Sequence, residues 1–111
     1  MSRMLTISCL QTSPRPTFRD ASIEAIALAE KAMEKNPALI CLPEYCGGLV
    51  SNKGRFTPPH EVEEKHPVLL SLKHFAKVNK VWIIVGSIAI TGRGGKFFNR
   101  TLLLDSNGEV K

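Results

Sequence analysis

No apolar run in the 111 residues approaches the roughly 18 residues that a membrane-spanning helix needs. Cysteine is scarce too. Cys9, Cys41 and Cys46 make an odd number at low density, which argues against a disulfide framework and fits a reducing compartment. No Cys-x-x-Cys pair is present, which weighs against a small thiol redox protein using Cys41 or Cys46. Cys41 and Cys46 have no second pair or histidines at zinc-finger spacing. His60, His66 and His74 match no common ligand signature, so no metal site is expected. There is also no basic block. Fifteen Lys and Arg against ten Asp and Glu give a net charge of +5, but Glu24, Glu30, Glu34 and Glu61 to Glu64 break up the positive residues. That reads as a solvated mixed surface and not as a nucleic-acid footprint. "GRGGKFF" is not a phosphate-binding loop, because its Lys96 is followed by Phe97 and a strand instead of a helix. Met1 to Leu5 carries one basic residue and no long apolar segment behind it, so it does not read as a secretory signal. A cytoplasmic protein with no membrane partner is expected.

What remains is ordinary for a globular domain: 43% hydrophobic and 23% charged residues, enough chain for one modest core. "MLTISCL", Met4 to Leu10, suits a buried strand. "QTSPRPT" breaks it, and Thr17-Phe18-Arg19-Asp20 resembles a capping box. A helix is expected from Phe18 to Lys35, with Ile23, Ile26, Ala29 and Met33 as its buried stripe, widened by Ala25, Leu28 and Ala32. Asn36-Pro37 stops it. Ala38 to Leu42 is a second strand. Residues 43 to 66 have no clear period and read as a long loop. Pro67 opens a second helix with Leu69, Leu72, Phe75 and Ala76 inward. "VWIIVGSIAI" is a third strand, and "KFFNRTLLLD" a fourth, antiparallel to it. "DSNG" reads as a hairpin turn with positive φ at both Asn107 and Gly108, and "EVK" begins a fifth strand. Strand, helix, strand, helix, strand implies parallel pairing and an α/β fold.

In open α/β sheets, ligands bind at the carboxyl ends of strands. "ALICLPEYCGG", residues 38 to 48, ends a buried-looking strand with a carboxylate, a phenol and a thiol. Gly86-Ser87 interrupts the third strand, and Asn99 enters the fourth, so these positions could converge on one edge. Taken alone, Glu44 after Pro43 reads as a solvated turn or as a general base. Cys46 has no local base to activate it and reads as a packed loop thiol, its ionisation disfavoured further by Glu44. Cys9 and Cys41, in strands, read as inert. Tyr45 and Trp82 read as packing residues.

Three stretches together resemble the carbon–nitrogen hydrolase (nitrilase) superfamily. "LICLPEY" is similar to its first signature, "VWIIVGS" to the strand after its second helix, and "FFNRTLLLDSNGEV" to the block that follows. Order and spacing agree from Met4 to Val110. The resemblance implies the N-terminal part of a nitrilase-like α-β-β-α sandwich, with residues 1–111 forming one partial domain truncated on its C-terminal side. It implies a Cys nucleophile, a Glu general base and a Lys that stabilises the tetrahedral intermediate. Glu44 matches the base. Cys46 does not match the nucleophile, and Lys111 lacks the context of the family's Lys. The resemblance further implies a small-molecule amide or nitrile substrate, no cofactor, and a homo-oligomer for the full-length protein. The chain alone is expected to be inactive. The alternative is a non-catalytic α/β interaction module or a remnant of such an enzyme. Substrate, and the choice between amidase, nitrilase and carbamoylase, is not written in these motifs.

Overall fold

The computed structural model describes residues 3–111; Met1 and Ser2 of the N-terminal segment lie outside them. The elements run β1 (Ile7–Cys9), α1 (Phe18–Ala32), β2 (Leu39–Cys41), β3 (Val50–Asn52), β4 (Arg55–Thr57), β5 (His60–Glu61), α2 (Pro67–Asn79), β6 (Trp82–Thr91) and β7 (Phe97–Leu104). The main sheet has the order β1-β2-β6-β5, all parallel, with β7 antiparallel on β6. This is the α/β alternation expected from the sequence. β7 holds one edge of β6 along its length, so β2 and β5 share the other edge in succession, at Trp82–Ile84 and Ala89–Ile90. The chain leaves the sheet between them, which is where Glu44 lies.

α1 begins where expected. The Thr17 hydroxyl accepts from the Asp20 amide at 3.1 Å, satisfying one of the helix's free N–H groups. Its buried face matches the expected stripe in part. Ala25 and Ala29 are buried as expected and Ala21 joins them, whereas Ile23 is 57% exposed. Small side chains four apart make a shallow ridge that lets α1 approach α2 and the sheet closely, and Ile26 and Met33 pack at its flanks. The α-helix ends at Ala32, short of Lys35. One 3-10 turn, Met33–Lys35, follows, and Asn36 closes it with a left-handed φ of 51°. α2 starts at Pro67 as expected and buries Leu69, Leu72, Phe75 and Ala76, with Val68 added.

Both helices lie on one face of the sheet. Ile40, Ile83, Val85, Leu102 and Leu104 point into the core they cover. Alternate residues point the other way. Leu39, Trp82, Ile84 and Leu103, with Leu5 and Ala38, line an apolar depression on the open face.

The expected loop 43–66 holds more structure than its sequence announces. β3 and β4 form a hairpin across Lys53 and Gly54, both at positive φ, and β5 joins the main sheet. The expected fifth strand reduces to a single bridge, Leu104 to Val110. The turn before it also differs from expectation. Only Gly108 has positive φ, and the Asp105 carboxylate accepts from the Asn107 and Glu109 amides. The turn closes with Gly108 N–H on Asp105 O and Asp105 N–H on Glu109 O, a three-residue connection with its glycine at the bulge.

Candidate active site at the end of strand β2

Leu42 is the last residue of this segment to pair with β6, donating to Ile84 O at 2.9 Å. Pro43 has no N–H to continue the ladder, so the chain turns out of the sheet. It turns against Gly86. A Cβ there would collide with the Leu42 carbonyl oxygen and the Pro43 carbonyl group, so only glycine lets β6 come this close. The β6–β7 pairing breaks register between Val85 and Ile88. That irregularity directs the next two β6 groups at the turn. The Tyr45 amide donates to Ser87 Oγ at 2.8 Å, and the Cys46 amide to Ser87 O at 3.1 Å. Thr101 Oγ1 donates to Gly86 O at 2.7 Å, tying β7 to the same point. Tyr45 is held at a φ of 58°, a left-handed conformation costly for a non-glycine residue. Those bonds give it a fixed place.

Glu44 stands exposed at the crest of this turn. Asn99 Nδ2 donates to Tyr45 Oη at 3.3 Å, so Gly86-Ser87 and Asn99 do converge on the turn that carries Glu44. Asn99 does so through Tyr45, a residue that sequence reasoning left as packing. Nothing in the single letters marks it, because its part is set by backbone conformation.

Cys46 is buried at 3% exposure, and its Sγ donates to Ser87 O at 3.5 Å. Burial pushes its thiol up to about 11. The packed, unreactive thiol is as expected, but burial is the cause and not Glu44. Lys111 pairs with Asp105 Oδ2 at 3.5 Å and stays on its own hairpin.

The other face of the turn is built on His66. It is fully buried, caps α2 through Nδ1 to the Leu69 amide at 3.5 Å, and packs on Phe18 at the start of α1. Gly47 passes so close that a Cβ would lie 3.2 Å from the His66 ring and 2.8 Å from Ile88. His60 is elsewhere, stacked on Phe97 with Nδ1 2.7 Å from Thr91 Oγ1, and His74 is exposed on α2. Among the described residues no three His, Cys, Asp or Glu side chains group as a metal site, and no helix is long and apolar enough to cross a membrane.

The carbon-nitrogen hydrolase family model matches residues 6–111. The chain belongs to the carbon–nitrogen hydrolase family. Deaminated glutathione amidase of Dictyostelium discoideum is 25% identical over 99% of this chain and 40% of its own length. Among solved structures, Nit3 of Saccharomyces cerevisiae, a member of branch 10 of the nitrilase superfamily, superposes with a TM-score of 0.72 at 17% identity, covering 96% of this chain and 41% of that one. An amidase from Nesterenkonia sp. gives 0.70 at 22% identity, over 96% and 40%. At such identities the structures speak for the fold, and they bear out the nitrilase-like architecture. This carbon–nitrogen hydrolase chain spans about two fifths of the length of these relatives.

Proposed function

We propose that these residues supply the general base of an amidase-type carbon–nitrogen hydrolase, with Glu44 in that role and a small-molecule amide or nitrile as substrate. The observation that carries the reading is the Glu44 turn, locked to Ser87 by both its hydroxyl and its carbonyl. A base must be held where it can take a proton from a nucleophile and later from water. An exposed carboxylate on an ordinary turn has no need of a strained tyrosine and a glycine-only contact behind it. The amidase activity in the name of the Dictyostelium relative supports the amide over the nitrile.

In the proposed reaction the Glu44 carboxylate accepts the proton of a cysteine thiol as its sulfur attacks the carbonyl carbon. The nitrogen leaves with a proton, and water, deprotonated by the same carboxylate, cleaves the thioester. A lysine stabilises the negative charge on the tetrahedral intermediate. The resemblance matches neither the cysteine nor the lysine to a residue of this chain, and Cys46 is buried away from such a role.

Two measurements test this. The 111-residue chain, assayed on simple amides and nitriles, is expected to show no turnover; activity removed by Cys46→Ser would overturn the assignment of roles. In a protein carrying the whole domain, Glu44→Gln keeps the shape of the side chain but cannot take a proton. Turnover should fall at least a hundredfold with an unchanged circular dichroism spectrum. Near-normal turnover would make Glu44 a turn residue only.

A further inference from the structure

Tyr45 is tied at both of its ends. Its amide donates to Ser87 Oγ on β6 at 2.8 Å, and its phenol oxygen accepts from Asn99 Nδ2 on β7 at 3.3 Å. The pairing of β6 with β7 explains how two strands come to hold one residue. Val85 faces Leu102 and Ile88 faces Arg100, so Gly86 and Ser87 stand together against Thr101 alone. A bulge of this kind re-aims the side chains around it. Thr101 and Asn99 are two apart on β7 and so share a face. From that face Thr101 binds the Gly86 carbonyl, and Asn99 reaches the phenol.

We propose that Asn99 is a positioning residue for the Glu44 carboxylate, acting through the Tyr45 phenol. The inference rests on the reading of Glu44 as the base. Tyr45 keeps a φ of 58°, a conformation that a residue with a Cβ leaves when nothing holds it. Rotation about that φ swings the peptide joining Glu44 to Tyr45, and with it the direction in which Glu44 projects. The amide nitrogen lies on the axis of this rotation, so its bond to Ser87 does little to stop it. The phenol lies a side chain's length from the axis, and a bond there resists the rotation as a hand on a lever does. The tie needs no solvent access at Asn99, because shielding a hydrogen bond from water strengthens it. Asn99 touches none of the reacting atoms. Its loss lowers the fraction of molecules with Glu44 correctly aimed and leaves substrate affinity unchanged.

Asn99→Ala removes the donor of this bond, and Tyr45→Phe removes only the acceptor. In the 111-residue chain, each should speed hydrogen exchange of the Tyr45 and Cys46 amides about three- to tenfold, the worth of one hydrogen bond. The double variant should be no faster than either single one, since both remove the same contact. In a protein carrying the whole domain, kcat should fall by the same factor with KM unchanged, again without addition in the double variant. A residue that only supports the fold would lower the urea midpoint and leave the kcat of the folded molecules as it was. Additive losses, a change in KM alone, or unaltered exchange and kcat in Asn99→Ala would overturn the proposal. If Glu44→Gln abolishes turnover while Asn99→Ala keeps it, this inference fails and the base stands. If Glu44→Gln keeps turnover, both fail.

Discussion

His66 is buried with Nδ1 capping α2 and with Nε2 lacking a partner among the described residues, so a proton added to the ring would place a charge unpaired among them between Phe18 and Gly47. Burial holds its pKa down to about 4 against an ordinary 6.5, with the Glu61 carboxylate pulling weakly the other way. The unfolded chain therefore binds a proton at a pH where the folded chain does not. The stabilisation is complete above 6.5, declines as pH falls, and is exhausted below 4. Over that window it amounts to about 3 kcal/mol. Urea unfolding at pH 7 and pH 4.5 should show the loss. His66→Asn puts a capping amide oxygen in place of Nδ1 but has no such titration, so it should flatten the pH dependence. An unchanged slope in the variant would assign the effect elsewhere. At this scale the sequence is an uneven guide. Pro43-Glu44 can be read from it, because proline and a strand end are local signals. His66 and Tyr45 cannot, because burial and a left-handed φ come from segments distant in the chain.

A methyl group on Gly86 would strike the carbonyls of Leu42 and Pro43, so Gly86→Ala must move either β6 or the start of the Glu44 turn. The expected cost is about 1–3 kcal/mol, read as a lower urea midpoint. Tyr45 and Cys46 should also lose amide protection in hydrogen exchange, since their bonds to Ser87 depend on that approach. Retained protection at those two amides would show that the turn does not need the close contact. Elements were legible where the pattern had a period and a core to bury. α2, β6 and β7 have both. β3 and β4 have neither, being three residues each and largely exposed, and their Lys53-Gly54 turn lacks the usual Asn-Gly signal. Asn107-Gly108 carries that signal and still forms a different turn, because the Asp105 carboxylate captures the Asn107 and Glu109 amides first. α1 starts where expected and turns most of the expected stripe inward, Ala25 and Ala29 fully and Ile26, Ala32 and Met33 in part, but close packing adds Ala21 and leaves Ile23 outside.

The two helices cover one face of the sheet, and the other is left apolar. Leu5 is 65% exposed and Trp82 40%, beside Leu39, Ile84 and Leu103 in one depression. Soluble monomers generally avoid such contiguous patches. The 111-residue chain should therefore elute at increasing apparent mass as its concentration rises and should bind a hydrophobic dye. Trp82 is the only tryptophan, so its emission should move to shorter wavelength as the chains associate. A monomer at high concentration with no dye binding would mean that this face is adequately solvated as it stands. The lock between the Glu44 turn and β6 also has a consequence in time. Tyr45 and the Ser87 that holds it are 42 residues apart. At a synthesis rate of about 5–20 residues per second, roughly 2–8 s pass on the ribosome between making the one and making the other. α1, whose contacts are local, can form during that delay. The turn that carries Glu44, although early in the chain, can close only after β6 has been made.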